Sequence, residues 1–516
     1  MKLLERVDGV QQETVCEAVF TQTYDIIVCG AGTAGIIAGI TAARMGACVL
    51  CVEMGTFPGG MGTGIVMGYY HGDHLKGQCS ALDEEIVQLS DRICSQKKGW
   101  CEGIHAEAKK LVYEAAYADA GGTIWYESMA CGVWTKEDAI QGLRILENGR
   151  MQDVACKMVI DATAEANICR LAGLPVYMGR ESDGQAQAFS AVCLVMNEAN
   201  ELEHVYRDNG FINNSDMMQV SAAVTCAFAE SDAQGAYSRN SQNRMLLCGA
   251  VIGKREGLHG MGQTQMTGEM LFGEEDVPQP VFTMSGPYDT HLYDAAFESE
   301  LVNDFLLRGL RDKVLTAQVP YGAFVAKGIK GLLLAGIGMD ISHDALPPVR
   351  LKKNVMRSGE AAAVAACLAL RQDCYPEDCY ESVRQEMVQR GLLQENVTPM
   401  QWRTEETLPP EQLKQQADEW AVYLIGKKNR GEDTDWLLSY LPEREDYSLF
   451  CYALTALTQS AARGDTKAMN AVLDLVDNET FSRQLTLNGY QKKTVLERSG
   501  MLKTYVHKKL EKKGRK

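Results

Sequence analysis

Positive charge is scarce along this 516-residue chain: 51 Lys and Arg face 68 Asp and Glu, a formal charge of −17. A body of that sign has no field to attract nucleic acid or an anionic membrane, so neither is expected as a partner. The basic run at residues 508–516 reads as a solvated helix end. Uninterrupted apolar sequence is also missing. The stretch from Ile26 to Val52 approaches membrane length, but Arg44 and a series of glycines break it into a buried strand–helix–strand. Residues 1–6 lack the apolar core of a secretory signal, and the 17 cysteines are odd in number and irregularly spaced. Reduced thiols in a cytosolic compartment are therefore expected, with no disulfide framework and no ferredoxin-type iron–sulfur cluster. Cys48 and Cys51 form a C-x-x-C inside an apolar run, where strand alternation points the two thiols apart and makes them strand core. The rest is ordinary for a globular protein, 46% hydrophobic and 23% charged. At this length about three domains are expected.

The chain opens with 23 residues of mixed polarity, read as an extended lead-in. From Tyr24 it predicts a strand (25–29), a helix (33–45) and a second strand (48–53), one βαβ unit. Between the first strand and the helix lies Gly30-Ala31-Gly32-Thr33-Ala34-Gly35, a G-x-G-x-x-G in its proper setting. Gly30 makes the tight turn, Gly32 lets the backbone approach a pyrophosphate, and Gly35 lets helix and strand pack closely. Glu53 closes the second strand, where a carboxylate can accept from ribose hydroxyls. The unit predicts dinucleotide binding.

A glycine-rich loop (58–64) follows, then helices near 81–95 and 105–120, short strands at 123–126, 131–135 and 143–146, and a buried strand at 158–163. Residues 181–325 mix strands with polar loops. A last buried strand (331–336) precedes an alanine-rich helix (358–370). Beyond 395 the β signal fades, and amphipathic runs such as 411–425 and 447–462 predict an all-helical unit.

Gly59-Gly60-Met61 after Glu53, Ile160-Asp161-Ala162-Thr163, and Leu333-Leu334-Ala335-Gly336 before the alanine-rich helix form a set. It resembles FAD-dependent oxidoreductases of the glutathione-reductase-like fold. Further segments extend the likeness: Gly179–Gly184, Arg255-Glu256, Phe272–Val277, Tyr288–His291, Ser342–Leu346 with Arg350, and Gly359–Ala362. The chain resembles a bacterial FAD-dependent oxidoreductase family related to the flavin subunit of heterodisulfide reductase and, more distantly, to fumarate reductase flavoproteins. The likeness spans most of residues 24–390. It departs at Ala164-Glu165, where the family usually has Gly and Asp, at Ile337, usually Arg, and at Gly257–His259, usually more basic.

The resemblance implies an α/β fold: a Rossmann-like FAD-binding domain from 24–180 and 326–394 (with a cap near 65–105), an inserted α+β substrate domain at 181–325, and an appended all-helical domain at 395–516. It implies Gly30, Gly32 and Gly35 at the pyrophosphate and Glu53 at the adenosine ribose. Gly59, Gly60 and Met61 then pass close to the isoalloxazine, and Asp161 lies at the FAD-side crevice. Ala335 and Gly336, with the helix carrying Gly359, face the pyrimidine end or ribityl chain. Arg255, His291, His343 and Arg350 are the candidate substrate clamps or proton donors. His71 and His74, after the glycine loop, are where a covalent flavin tether would fall, although non-covalent FAD is expected.

No second G-x-G-x-x-G follows a strand and no cysteine pair is placed beside the flavin, so electrons are expected to pass to or from a separate carrier or the substrate itself. The function implied is oxidation or reduction of a small organic molecule by hydride transfer. Use of NAD alone leaves Gly59-Gly60 and the late strand–helix without purpose. A third reading is an electron-transfer subunit whose helical unit docks a partner through Trp420, Tyr423, Leu424 and Trp436.

Overall fold

A computed structural model describes residues 1–64, 78–93, 105–196, 198–199, 202–208, 218, 220–221, 244–291, 295–403, 408–429, 431–441, 447–477 and 494–511. At its centre is a parallel five-stranded sheet in the order Leu332–Leu334, Met158–Asp161, Ile26–Cys29, Val49–Val52, Thr123–Trp125. All four residues of Ile26–Cys29 and of Val49–Val52 are buried. Both faces of this sheet are covered, so its strands read as continuous apolar runs instead of alternating ones. Cys51 is buried in its strand, Cys48 is exposed just before it, and both are free thiols.

The helix Thr33–Arg44 packs between the sheet and the long helix Lys352–Gln372. Close packing here depends on missing side chains: a Cβ on Gly359 would sit 2.1 Å from the Ala34 carbonyl oxygen, and one on Gly39 2.7 Å from Cys51 Sγ. Tyr117, on the helix Ala106–Asp119, donates its hydroxyl at 3.1 Å to the carbonyls of Val49 or Thr123 and so ties two neighbouring strands.

The first residues are more than a lead-in. Lys2–Val7 and Val10–Val15 form a hairpin on the edge of a six-stranded sheet, the inner strand pairing with Ser128–Lys136. Gln22–Thr23 closes the opposite edge in parallel with Arg150–Ala155. Between 181 and 325 lie the antiparallel pair Pro280–Pro287 with Val314–Pro320 and the three-stranded sheet of Ser190–Met196, Leu202–Asp208 and Arg244–Cys248.

After Leu334 the described residues hold helices and no strand. The run 411–425 is two helices, Pro410–Gln416 and Glu419–Lys428, because Ala417 turns left-handed and Asp418 caps the second by accepting from the Ala421 amide at 2.8 Å. These helices share a core with Ala296 and Phe297 of the preceding segment. Tyr423 and Leu424 are buried in it, and Trp420 and Trp436 pack partly buried against it. The aromatic face read as a docking surface is thus occupied by the protein's own core. Among the described residues no helix is long and apolar enough to cross a membrane.

Candidate active site

The C-terminal ends of Ile26–Cys29 and Met158–Asp161 open into a cavity of about 1000 Å³. Gly30 leaves its strand at φ +88°, and a Cβ there would meet the Ala162 carbonyl oxygen at 2.7 Å. Gly32 stands at the N-terminus of the helix Thr33–Arg44, which has no capping side chain, so its first amides are free to face an anion. Gly60 passes so near that a Cβ on it would lie 2.9 Å from Gly32 Cα. Two backbone segments therefore form a groove that only a side-chain-free chain can leave open. Gly336 and Ile337 line the opposite wall, with Leu351 and Lys352 at the N-terminus of the second long helix, which also lacks a capping side chain. Two helix N-termini thus face one cavity, favouring negative charge there.

Glu53 lines the cavity, with one carboxylate oxygen accepting from the Ala31 amide at 2.6 Å and the other from Gly55 at 2.7 Å. These bonds fix the carboxylate on the cavity wall, and its remaining lone pairs can accept from hydroxyls. Met61 shares the wall with Gly60, and farther along it come Arg255, His291 and Arg350. Arg255 donates at 2.6 Å to the Ala188 carbonyl and to Ser190 Oγ. Arg350 donates to Asp289, whose carboxylate also lies 3.1 Å from His291 Nε2.

Other expected residues are not on the wall. Gly35 and Gly359 are packing positions: a Cβ on Gly35 would fall 1.7 Å from the Gly30 carbonyl oxygen. Gly59, at φ +96°, turns the loop against Thr63, and Ala335 is buried at the strand end. Asp161 is a correction. It is buried, accepting from the Thr163 amide and hydroxyl and from the amides of Ile168 and Cys169, so it holds the start of the short helix Asn167–Leu171 instead of touching a ligand. Burial raises its pKa against the lowering effect of those bonds.

His343 is the second correction. It is buried between two carboxylates, with Nδ1 2.8 Å from Glu256 and Nε2 3.1 Å from Glu298. Burial alone would push its pKa down, but the two glutamates hold it well above the ordinary value. Glu298 also accepts from Arg180 Nη1 at 2.8 Å, while Asp183 takes Arg180 in a two-pronged pair. The segments around 180, 256, 298 and 343 thus converge on a buried charge network behind the cavity, not in it. His71 and His74, and most of the expected cap, lie outside the described residues.

The cavity also contains residues without any sequence signal: Arg6, Arg170, Lys254 and Lys352. Below its floor, Lys109 Nζ lies 3.0 Å from where a Cβ on Gly62 would be, and burial pushes this lysine's pKa down to about 7. Each sits in a segment brought here by distant packing, which a linear motif does not record.

A family model described as FAD dependent oxidoreductase matches residues 25–246 and 241–392. The chain belongs to that family. FAD is accordingly the cofactor of this flavoprotein, and the side-chain-free groove, the uncapped helix ends and Glu53 fit its pyrophosphate and ribose. Curated relatives include digeranylgeranylglycerophospholipid reductases of Thermoplasma acidophilum, 31% identical over 169 residues (30% of this chain, 42% of the relative), and Methanosarcina mazei, 27% identical over 170 residues (29% and 40%). The flavoprotein therefore spans about two fifths of the length of the curated relatives it matches. Similar solved structures include a geranylgeranyl bacteriochlorophyll reductase-like protein of Thermoplasma acidophilum (14% identity, 72% of this chain and 84% of that one, TM-score 0.39) and the flavin-dependent halogenase CmlS (12% identity, 95% and 78%, TM-score 0.40).

One departure from the family pattern has a cost. Ala164, standing where a glycine is usual, has φ +63° on the cavity wall. The left-handed region costs a residue with a Cβ about 1–2 kcal/mol. Ala164→Gly removes that strain while loosening the unfolded chain. It is expected to raise stability by about 0.5–1 kcal/mol in urea unfolding followed by far-UV circular dichroism.

Proposed function

We propose that this flavoprotein oxidises or reduces a small organic anion by hydride transfer at non-covalently bound FAD. The supporting observation is a single cavity running from the glycine loop and Glu53 to Arg255, His291 and Arg350. Bound FAD supplies the two-electron chemistry. The residues of the chain bind and orient. Six fixed cations (Arg6, Arg170, Lys254, Arg255, Arg350 and Lys352) stand on the wall against three carboxylates (Glu53, Glu165 and Asp289), in a chain that is acidic overall. A pyrophosphate offsets two of the three surplus charges, and the third suits a substrate carboxylate. Arg255 and Arg350, each anchored through its guanidinium, hold their positive charge in a fixed orientation on the wall. The imidazole of His291, braced by Asp289 on the same wall, is the group suited to give or take a proton. The redox partner for the other half-reaction is a separate carrier.

The purified protein is expected to be yellow, with two visible flavin bands that stay in the supernatant after acid precipitation. Colour retained in the pellet would assign a tether at His71 or His74. A colourless protein that FAD cannot reconstitute sinks the reading. Arg255→Ala and Arg350→Ala are expected to keep the flavin bands but lose at least about tenfold in kcat/KM on the carboxylate that turns over, a loss of about 1.4 kcal/mol. Unchanged kcat/KM in both removes the anion from the proposal.

A further inference from the structure

The hairpin of residues 2–15 lies before the segment that matches the family, yet Arg6 and Gly9 are on the cavity wall. We infer that this hairpin is part of the cofactor site, closing its adenosine end, with Arg6 laid over the adenine. The inference rests on the assignment of the cavity to FAD and says which part of FAD the hairpin meets.

Strand pairing places Arg6 at that end. Ser128 donates its amide at 3.0 Å to the carbonyl of Glu53, which marks the ribose. From Ser128 the strand runs to Lys136 and pairs with Lys2–Val7, Glu5 standing opposite Gly132. Arg6 follows Glu5 towards Ala130 and Met129, which are on the same wall. Asp8 and Gly9 make the turn with both residues left-handed, at φ +50° and +79°, and Arg6 donates to the Gly9 carbonyl at 2.5 Å. This is the primed two-residue turn whose twist matches its strands, so the tip is a defined structure and not a loose end.

The hairpin is also pinned from the far side. Gln11 donates its side-chain amide at 2.9 Å to the carbonyl of Leu171, and Leu171 with its neighbour Arg170 lines the cavity. That helix is the one Asp161 holds at its start. The hairpin therefore bridges the two sides of the cavity mouth.

The chemistry at this mouth suits a flat heteroaromatic ring. Met54 and Met129 line it and are 66% and 42% exposed, and thioethers make favourable contacts with aromatic rings. A guanidinium stacks on such a ring and can donate to its nitrogens.

The test is flavin binding to the apoprotein, followed by the change in flavin fluorescence, for wild type, Arg6→Ala and Arg6→Lys. FAD and FMN are the two probes, because FMN lacks the adenylate. Arg6→Ala is expected to raise the Kd for FAD about tenfold, while FMN binds, or fails to bind, wild type and variant alike. Arg6→Lys, which keeps the charge and loses the plane, is expected to recover only part of the affinity. Because Arg6 is exposed, thermal unfolding of both apoproteins is expected to match wild type. An unchanged Kd for FAD in Arg6→Ala, or FAD and FMN weakened equally, overturns the clamp while leaving FAD as cofactor. Failure of wild type to bind either flavin overturns the cofactor assignment as well.

Discussion

His343→Leu is expected to destabilise the protein by about 3–5 kcal/mol while leaving the flavin bands of any folded material unchanged. The removed imidazole lies between Glu256 and Glu298, both buried, and its loss takes the shared positive charge from a low-dielectric interior, leaving Glu256 to the Gly179 and Gln187 amides and Glu298 to Arg180. The flavin is spared because His343 is absent from the cavity wall. The pH dependence gives a second readout. The folded protein holds a proton on His343 well above the ordinary 6.5, so this stabilisation is complete below about pH 6.5 and is lost as pH rises through the folded value. Glu256 and Glu298 are held low by the same partners, so their contribution is present above about pH 4.5 and is lost as pH falls through their depressed values. The gap between wild type and His343→Leu is therefore widest between about pH 4.5 and 6.5 and narrows on the alkaline side. Urea unfolding at a series of pH values measures it, and a gap that does not vary with pH means that His343 is not held protonated.

Two alanine substitutions five ångströms or so apart in the same fingerprint, by helix rise, are expected both to weaken FAD but to differ in stability. Gly35→Ala puts a methyl group 1.7 Å from the Gly30 carbonyl oxygen, a backbone atom that cannot move without unmaking the turn. Loss of the flavin and destabilisation of about 3 kcal/mol or more are expected together. Gly32→Ala meets nothing closer than Gly60 Cα at 4.0 Å, and Gly32 already has an extended φ of −64° that any residue adopts. The apoprotein is expected to unfold at the wild-type urea concentration, but the new methyl group projects into the groove where the phosphates approach, weakening FAD at least tenfold, or about 1.4 kcal/mol. Urea midpoints and flavin titrations on the pair distinguish packing from ligand clearance. Equal behaviour of the two variants would mean that the groove is not the phosphate site.

Those two glycines were legible because the motif states their jobs at fixed spacing. The βαβ unit, the buried strands at 158 and 332 and the helices around 105–120 and 447–462 were legible for a similar reason, since each is specified by periodicity within one stretch of chain. What the sequence does not carry is the partner of a side chain hundreds of residues away. Asp161 at the end of a strand reads equally well as a ligand or as a cap, and only the position of the Ile168 and Cys169 amides decides between them. His343 reads as an active-site histidine until Glu256 and Glu298 arrive on either side of it. The hairpin at 2–15 alternates poorly because its outer strand is exposed throughout, so no apolar face announces a strand there.

The shared core around Phe297 has a consequence in time. The described residues of the cavity wall have all been made by residue 355, but Tyr505, whose ring packs at 4.8 Å on Phe297 beside Arg180, follows much later in the chain. At about 5–20 residues per second, the interval is on the order of ten seconds. A nascent chain therefore carries every described residue of the cavity wall before it carries the ring that packs on Phe297 beside the charge network.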